Sequence, residues 1–552
     1  VQLPLPRRAP SRGQAAARTA RRRALAVALV VLCAAGGLGL ARGDRGGVLA
    51  VPAEQAAHLG AADPTLRPVL RHATRSVVTR IDDDLVKVTW FRGARAVATV
   101  GVTGERTLTQ PYVLSHTRTG YGSPLSHLPV VLAALTALFL LVALQGPLRR
   151  LRTLDAAALA AFVVPTVLLD RGYLGPAEIC GAVLLAFLAT RGVAVAVRGV
   201  PAAGAGPSLL ERLARRGAVP DLTRRVALVL LAITAMVAVT STGVVDIAWA
   251  NMEGATILLH GHLPYGHMPG DVIHGDTYGL PIYALYAPFA AIWPVPDDWT
   301  DATGSLVVGA IAAAGCAVGL LRVAGGARWA AVLALVAFPA TLMTFSSGTN
   351  DVLIAAAVIW AFAWFARPAL SSALLMTAGL AKVAPLLLLP VWVARLRGAA
   401  LLRALAACAA VGAVVLAGLV AVGGVHGPAD MLHAMSFQAG RRSVSSIWTS
   451  YGLQALQPLV QAAAVAAALG GAVLVLGDRD VARDPRRIAG LFVAILALLQ
   501  LAANHWTPLY LAWLLPPAIL ALLGPAAVAP ADPPSPAASA PVAPPAAGRI
   551  AA

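Results

Sequence analysis

From residue 127 onward the sequence runs in apolar blocks of about 16–24 residues, separated by short arginine-bearing or polar stretches. A helix rises 1.5 Å per residue, so ~20 apolar residues cross a hydrocarbon layer ~30 Å thick. Charged residues make up 12% of the chain and hydrophobic ones 58%, against roughly 25% charged in soluble domains. This pattern excludes a soluble enzyme, a secreted disulfide scaffold and a disordered chain. It predicts an all-α polytopic integral membrane protein with about 12–14 membrane helices.

The formal net charge is +18, and the cations are almost all arginine; Lys87 and Lys382 are the two lysines. In a soluble chain such a balance would suggest nucleic acid. Here the arginines flank apolar blocks, so membrane orientation accounts for them and no nucleic-acid partner is implied. Cys33, Cys180, Cys316 and Cys408 lie within or beside apolar stretches without a CxxC pair. They read as small buried hydrophobes.

Residues 1–23 are basic and precede an apolar run at 24–41, read as a first membrane helix with its basic flank inside. Residues 43–126 carry charge throughout and alternate in Leu85-Val86-Lys87-Val88-Thr89-Trp90-Phe91, and 96–102 is β-rich as well. They predict a small extracytoplasmic α/β insertion. Three membrane helices are expected in 127–197 and a basic inner loop in 198–225. A membrane core follows over 226–525, and 526–552 is a Pro/Ala-rich tail that cannot build a core. Arg149, Arg150 and Arg152 mark one inner loop, and Arg198, Arg212, Arg215, Arg216, Arg224 and Arg225 mark the next. The stretches 245–280 and 425–455 are therefore expected outside. Residues 281–294 are apolar but short and hold three prolines. They are expected to re-enter or lie flat, which leaves Arg322 and Arg328 inside.

The outer stretch 245–280 contains no Lys or Arg but has Asp246, Glu253, Asp271 and Asp276, with His260, His262, His267 and His274. It reads VVDIAWANMEGATILLHGHLPYG (244–266), then DTYGLPIYALYAPF (276–289). An acid just past a membrane helix, then Gly-x-x-Pro-Tyr, then Tyr and Pro entering the next block, resembles the glycosyltransferase C superfamily. The likeness is to the family 87 transferases that use polyprenol-phosphate mannose. SSGTND (346–351) is similar to their Gly-Gln-Asn stretch, with Thr349 where Gln is usual. AGLAKVAPLLLLPVWVARLR (378–397) is similar to their Lys-x-x-Pro hairpin. The resemblance spans roughly 225–525. It implies transfer of a hexose, mannose by analogy, from a polyprenyl phosphate to a glycan or glycolipid acceptor on the outer face of the cell's inner (plasma) membrane. It implies membrane lipid as surroundings and no cofactor beyond the donor substrate. Asp246 is the implied catalytic base, with Glu253 beside it. Tyr265, Asp276, Tyr278, Asn350, Asp351, Lys382, Arg441 and Arg442 are the implied substrate-binding set.

Physical reasoning points the same way. An outward-facing transferase has no cytosolic nucleotide sugar and needs a lipid-phosphate donor. It also needs a carboxylate to take a hydroxyl proton and cations for the departing phosphate. Each residue has a plainer reading too. Asp246 could cap a helix, and Glu253, two turns on, could be a solvated acid. Arg441 and Arg442 could touch headgroups, and Lys382 could snorkel from a helix end. His260 and His262, with Asp271 or Asp276, have ligand-like spacing, but a wet loop explains them equally and no metal is assigned. Trp448, Tyr451, Trp506, Tyr510 and Trp513 read first as an interfacial aromatic belt. The rival function is a transporter or flippase of lipid-linked envelope precursors, which should concentrate polar residues at mid-membrane.

Overall fold

The computed structural model describes residues 50–81, 84–113, 121–144, 151–199, 208–216, 221–272, 274–296 and 301–523. The basic terminus, the run at 24–41 and the Pro/Ala-rich tail lie outside these residues, as does part of the loop 198–225. Among the described residues six helices are long and apolar enough to cross a membrane: Leu151–Asp170, Leu174–Arg198, Leu222–Val239, Thr303–Val323, Gly398–Gln438 and Gln454–Gly477. Shorter apolar helices complete the bundle, among them Pro129–Ala143, Leu280–Ile292, Arg328–Ala337, Asp351–Ala363 and Pro368–Ala381. Within the expected core, the apolar run 329–344 is broken at Phe338-Pro339, where proline cannot continue a helix. The expected outer loop 425–455 is partly helical, since Gly427–Gly440 extends Gly398–Gly423 through a single 3-10 turn.

One end of the bundle collects arginines, and they do more than carry charge. Arg487 donates to the carbonyls of Ala196 and Val197 at 2.8 Å each, and Arg397 donates to that of Leu476 at 3.1 Å. Arg486 donates to Ala521 at 3.3 Å, and Arg152 to Leu523. All five acceptors sit in the last turn of a helix, where carbonyls lack intrahelical partners and the helix dipole is negative. Arg322 and Arg224 stack on Trp360 and Trp329 at the same end. A bidentate pair from Arg191 to Asp155 (2.6 and 2.9 Å) ties Leu151–Ala160 to Leu174–Arg198 there.

Leu280–Ile292 does not traverse the bundle. Just before it, the amide of Gly279 bonds the carbonyl of Ala381 at 3.0 Å. Just after it, the Ser305 hydroxyl bonds the carbonyl of Gly348 at 3.0 Å. Both anchors lie at the end opposite the arginines, so the segment leaves and returns on one side. A Cβ at Gly279 would fall 1.7 Å from the Leu380 oxygen, so this crossing admits no side chain.

Residues 50–113 form two helices, α1 (Ala53–Ala61) and α2 (Arg67–Leu70), on a four-stranded antiparallel meander. The strands are β1 (Arg75–Arg80), β2 (Leu85–Arg92), β3 (Arg95–Thr103) and β4 (Leu108–Val113). The expected α/β unit is thus α+β, with no parallel pairing among the described residues. Side chains alternate across a strand. Val86, Val88 and Trp90 of β2 bury against Ala56 and Leu66 on the helix-covered face. Lys87, Thr89 and Phe91 take the other face, where Phe91 packs on Leu169, Leu174 and Ala177 of the bundle. Backbone bonds fix the docking: Ala96 N–H to Gly172 O at 2.8 Å and Arg442 N–H to Arg80 O at 3.1 Å. Gly172 has φ +80°, and a Cβ there would meet the Ala96 oxygen at 2.7 Å.

Candidate functional site

Where the sheet meets the bundle, several of the predicted residues converge. Helix α3 (Asp246–Leu259) begins with Asp246 at its first turn, exposed, its Oδ1 accepting from the Ile247 amide at 2.9 Å. The SSGTND turn sets this start, since Val245 N–H bonds Ser347 O at 2.9 Å. Gly348, with φ +71°, lies so close to Ala248 that a Cβ would come within 2.7 Å of it. One layer below, Asn350 donates to Asn251 at 3.1 Å, both fully buried.

Helix α4 (Asp351–Ala363) starts at Asp351, and helix α5 (Pro368–Ala381) ends at Lys382. Lys382 takes extended backbone angles, so the chain breaks there before Ala384–Leu388 resumes as a 3-10 turn. The break delivers the ammonium to the Asp351 carboxylate. Trp513 donates to the same Oδ1 at 2.7 Å and Thr349 to Oδ2 at 2.5 Å. The rings of Tyr278, Tyr510 and Trp513 enclose Lys382 at 5.3, 5.5 and 5.0 Å, in cation–π range. Thr349, standing where the resembling family has Gln, thus orients the carboxylate.

Arg441 follows Gly427–Gly440, and its Nε is buried with no hydrogen-bond partner among the described residues. The SSGTND turn brings Asp246 and Asp351 to one end of the bundle, bonding Val245 on one side and opening α4 on the other, and Arg441 adjoins the sheet through the Arg442 amide. Lys87 lies on the bundle-facing side of β2. Burial pushes its ammonium pKa down, Asp246 opposes that shift, and Arg441 adds to it. By surface area, however, Lys87 is exposed. His505 is the fifth contributor, with Nδ1 3.0 Å from the Ser443 hydroxyl. Burial, then Arg441 and Lys87, hold its pKa well below the usual histidine range, so the ring is neutral at pH 7.

The other predicted residues fall elsewhere. Glu253 is half-buried two turns along α3, about 10 Å from Asp246 along the axis. Tyr265 and Asp276 brace the outer stretch. The Tyr265 hydroxyl donates to Tyr278 O at 3.2 Å, and Asp276 accepts from Gly266 N–H at 2.9 Å. Burial raises the Asp276 carboxyl pKa, partly offset by that Gly266 bond. Arg442 uses its amide to hold the sheet. Among the described residues no group of three or more His, Cys, Asp or Glu could hold a metal ion. His274 instead stacks on Phe437 at 3.9 Å, and His262 lies 6.2 Å from His267. The expected aromatic belt is largely interior. Trp448, Trp506 and Trp513 are buried and donate to Leu501 O, Gln500 and Asp351, whereas Tyr451 is exposed.

No protein-family model, curated protein or solved structure matches the chain. The residues themselves must carry the functional argument. Lys87 is the one that motif reading passes over, because it sits in a strand outside the resembling region. One signal was available: in a chain this rich in arginine, a lysine is itself unusual.

Proposed function

We propose that the protein is a multi-pass membrane glycosyltransferase of the C superfamily type, moving a hexose from a polyprenyl-phosphate donor to an acceptor outside the inner membrane. The observation that carries this reading is the convergence, through the SSGTND turn, of an exposed carboxylate, Asp246, with the Asp351–Lys382 pair and its rings Tyr278, Tyr510 and Trp513. Asp246 takes the proton from an acceptor hydroxyl. The acceptor oxygen bonds to the anomeric carbon, the bond from that carbon to the phosphate oxygen breaks, and the electron pair leaves with the phosphate. Arg441 meets the charge that builds on the leaving group. Aromatic faces such as Tyr510 suit a sugar ring or a polyprenyl tail.

The direct test is to incubate membranes carrying the protein with radiolabelled polyprenyl-phosphate hexoses and look for labelled product. Arg441→Lys should cut the rate about 10-fold or more, because an ammonium cannot reproduce the guanidinium fork. Arg442→Lys should lose activity for the same reason if both guanidinium groups hold the leaving phosphate. Unchanged rates in both Arg441→Lys and Arg442→Lys would mean generic headgroup attraction, which an ammonium supplies as well. The reading also requires 245–280 and 425–455 to face outward. A cysteine at exposed position 260 should react with an impermeant maleimide in intact cells. Labelling confined to permeabilised cells would invert the topology and end the proposal.

A further inference from the structure

We propose that a resident water molecule is bound beneath the SSGTND turn, held by Asn251, Asn350 and Tyr286. The site is independent of the transferase chemistry. Its three side chains come from three segments: Asn251 from α3, Asn350 from the turn that opens α4, and Tyr286 from Leu280–Ile292. All three are fully buried. Asn350 Nδ2 donates to Asn251 Oδ1 at 3.1 Å, and beside them the Ser305 hydroxyl donates to Gly348 O at 3.0 Å. Helix α3 and Leu280–Ile292 cross where Gly254 lies against the Tyr283 ring. They run antiparallel there, because Gly304 touches the Met252 side chain and lies beside the Phe289 carbonyl, where a Cβ would sit 3.5 Å from its oxygen. Asn251 and Tyr286, about one turn from the crossing on each helix, therefore face each other.

Asn251 Nδ2, Asn350 Oδ1 and the Tyr286 hydroxyl have no hydrogen-bond partner among the described residues. Exchanging the amide ends does not cure this. Turning both asparagines keeps the bond between them and again leaves one donor and one acceptor unmet. The leftover set is thus an amide donor, an amide acceptor and a hydroxyl that can be either. An ion can serve only one kind; water serves both, and buried waters commonly make about three such bonds. The groups converge without bonding one another, so the gaps between them exceed a direct hydrogen bond, and one water spans a gap of that kind. Tyr283 supplies the contrast. It is equally buried one turn earlier, but its hydroxyl donates to Gly275 O at 2.7 Å. The water would join three segments that carry Asp246, Asp351 and Tyr278 at or beside their first turns.

The test pulses the full-length protein in detergent with X-rays, which split bound water into hydroxyl radicals in place, and reads oxidised tyrosines by mass spectrometry. Tyr286 should be oxidised several-fold faster than Tyr283, although both are buried. After brief mixing into heavy-oxygen water, exposed Tyr451 should take up the heavy isotope while Tyr286 still gains ordinary oxygen. Tyr286→Phe gives a second measurement with a definite sign. A hydroxyl bonded to water contributes to stability, so its removal should lower the melting temperature by about 1–3 °C. A dry, partnerless hydroxyl is a burden, and its removal would raise the melting temperature. Equal oxidation of Tyr286 and Tyr283 would overturn the bound water. So would an unchanged or higher melting temperature in Tyr286→Phe. Immediate isotope exchange at Tyr286 would make the place a solvent channel and overturn a resident molecule as well.

Discussion

Asp246→Asn should lower hexosyl transfer by ~10²–10⁴-fold, the range expected when a general base loses its basicity. The substitution keeps the side chain's shape. Asp246 sits in the first turn of α3 with its oxygen on the Ile247 amide, and Asn preserves that acceptor about as well as Asp does. Folding and donor-lipid binding should therefore stay near normal, read as melting temperature and farnesyl phosphate affinity. If the carboxylate merely finishes the helix, the Asn variant will transfer sugar at the wild-type rate. Glu253 would then be the next acid to examine, although it lies two turns away.

Breaking the buried Asp351–Lys382 pair should have the largest effect on stability. Lys382→Met removes the cation and leaves Asp351, fully buried, holding only the Trp513 and Thr349 donors. Stranding one member of such a pair costs about 3–5 kcal/mol. The double variant Lys382→Met/Asp351→Leu should recover much of that loss, because two apolar groups leave no uncompensated charge. Thermal unfolding of the three proteins in one detergent measures both effects. If the double variant is no more stable than the single one, the pair is not a self-contained unit. Activity decides what Lys382 does beyond packing: transfer that returns with stability makes it a strut for Tyr278 and Tyr510, whereas transfer that stays lost makes it a donor ligand.

The bundle was legible because apolar blocks and arginine clusters are local properties of a sequence. The place of Asp246 at a helix start, the break at Lys382 and the non-crossing segment after Gly279 all follow from where polar residues and prolines interrupt those blocks. Pairings between distant segments were not legible. Nothing near residue 382 in sequence indicates that its ammonium meets Asp351, and nothing in a β-like run indicates which face of Lys87 will dock. The aromatic belt misled for a related reason. Trp448, Trp506 and Trp513 have the composition of an interface but spend their indole N–H groups on buried acceptors. Composition reports how amphipathic a segment is and leaves open whether lipid or protein covers it. The sheet's core side was readable from period-two alternation; its second face required the bundle.

The docked sheet also sets an order of events during synthesis. Residue 87 leaves the ribosome before the described helices of the bundle have been made, whereas Arg441 and His505 emerge near the end. The sheet can fold early on its own hydrophobic side, but its other face has no partner until those late segments reach the outer surface. The complete site therefore does not exist while the chain is growing. Under the proposed function, completion of the last helices is therefore the step that arms the site.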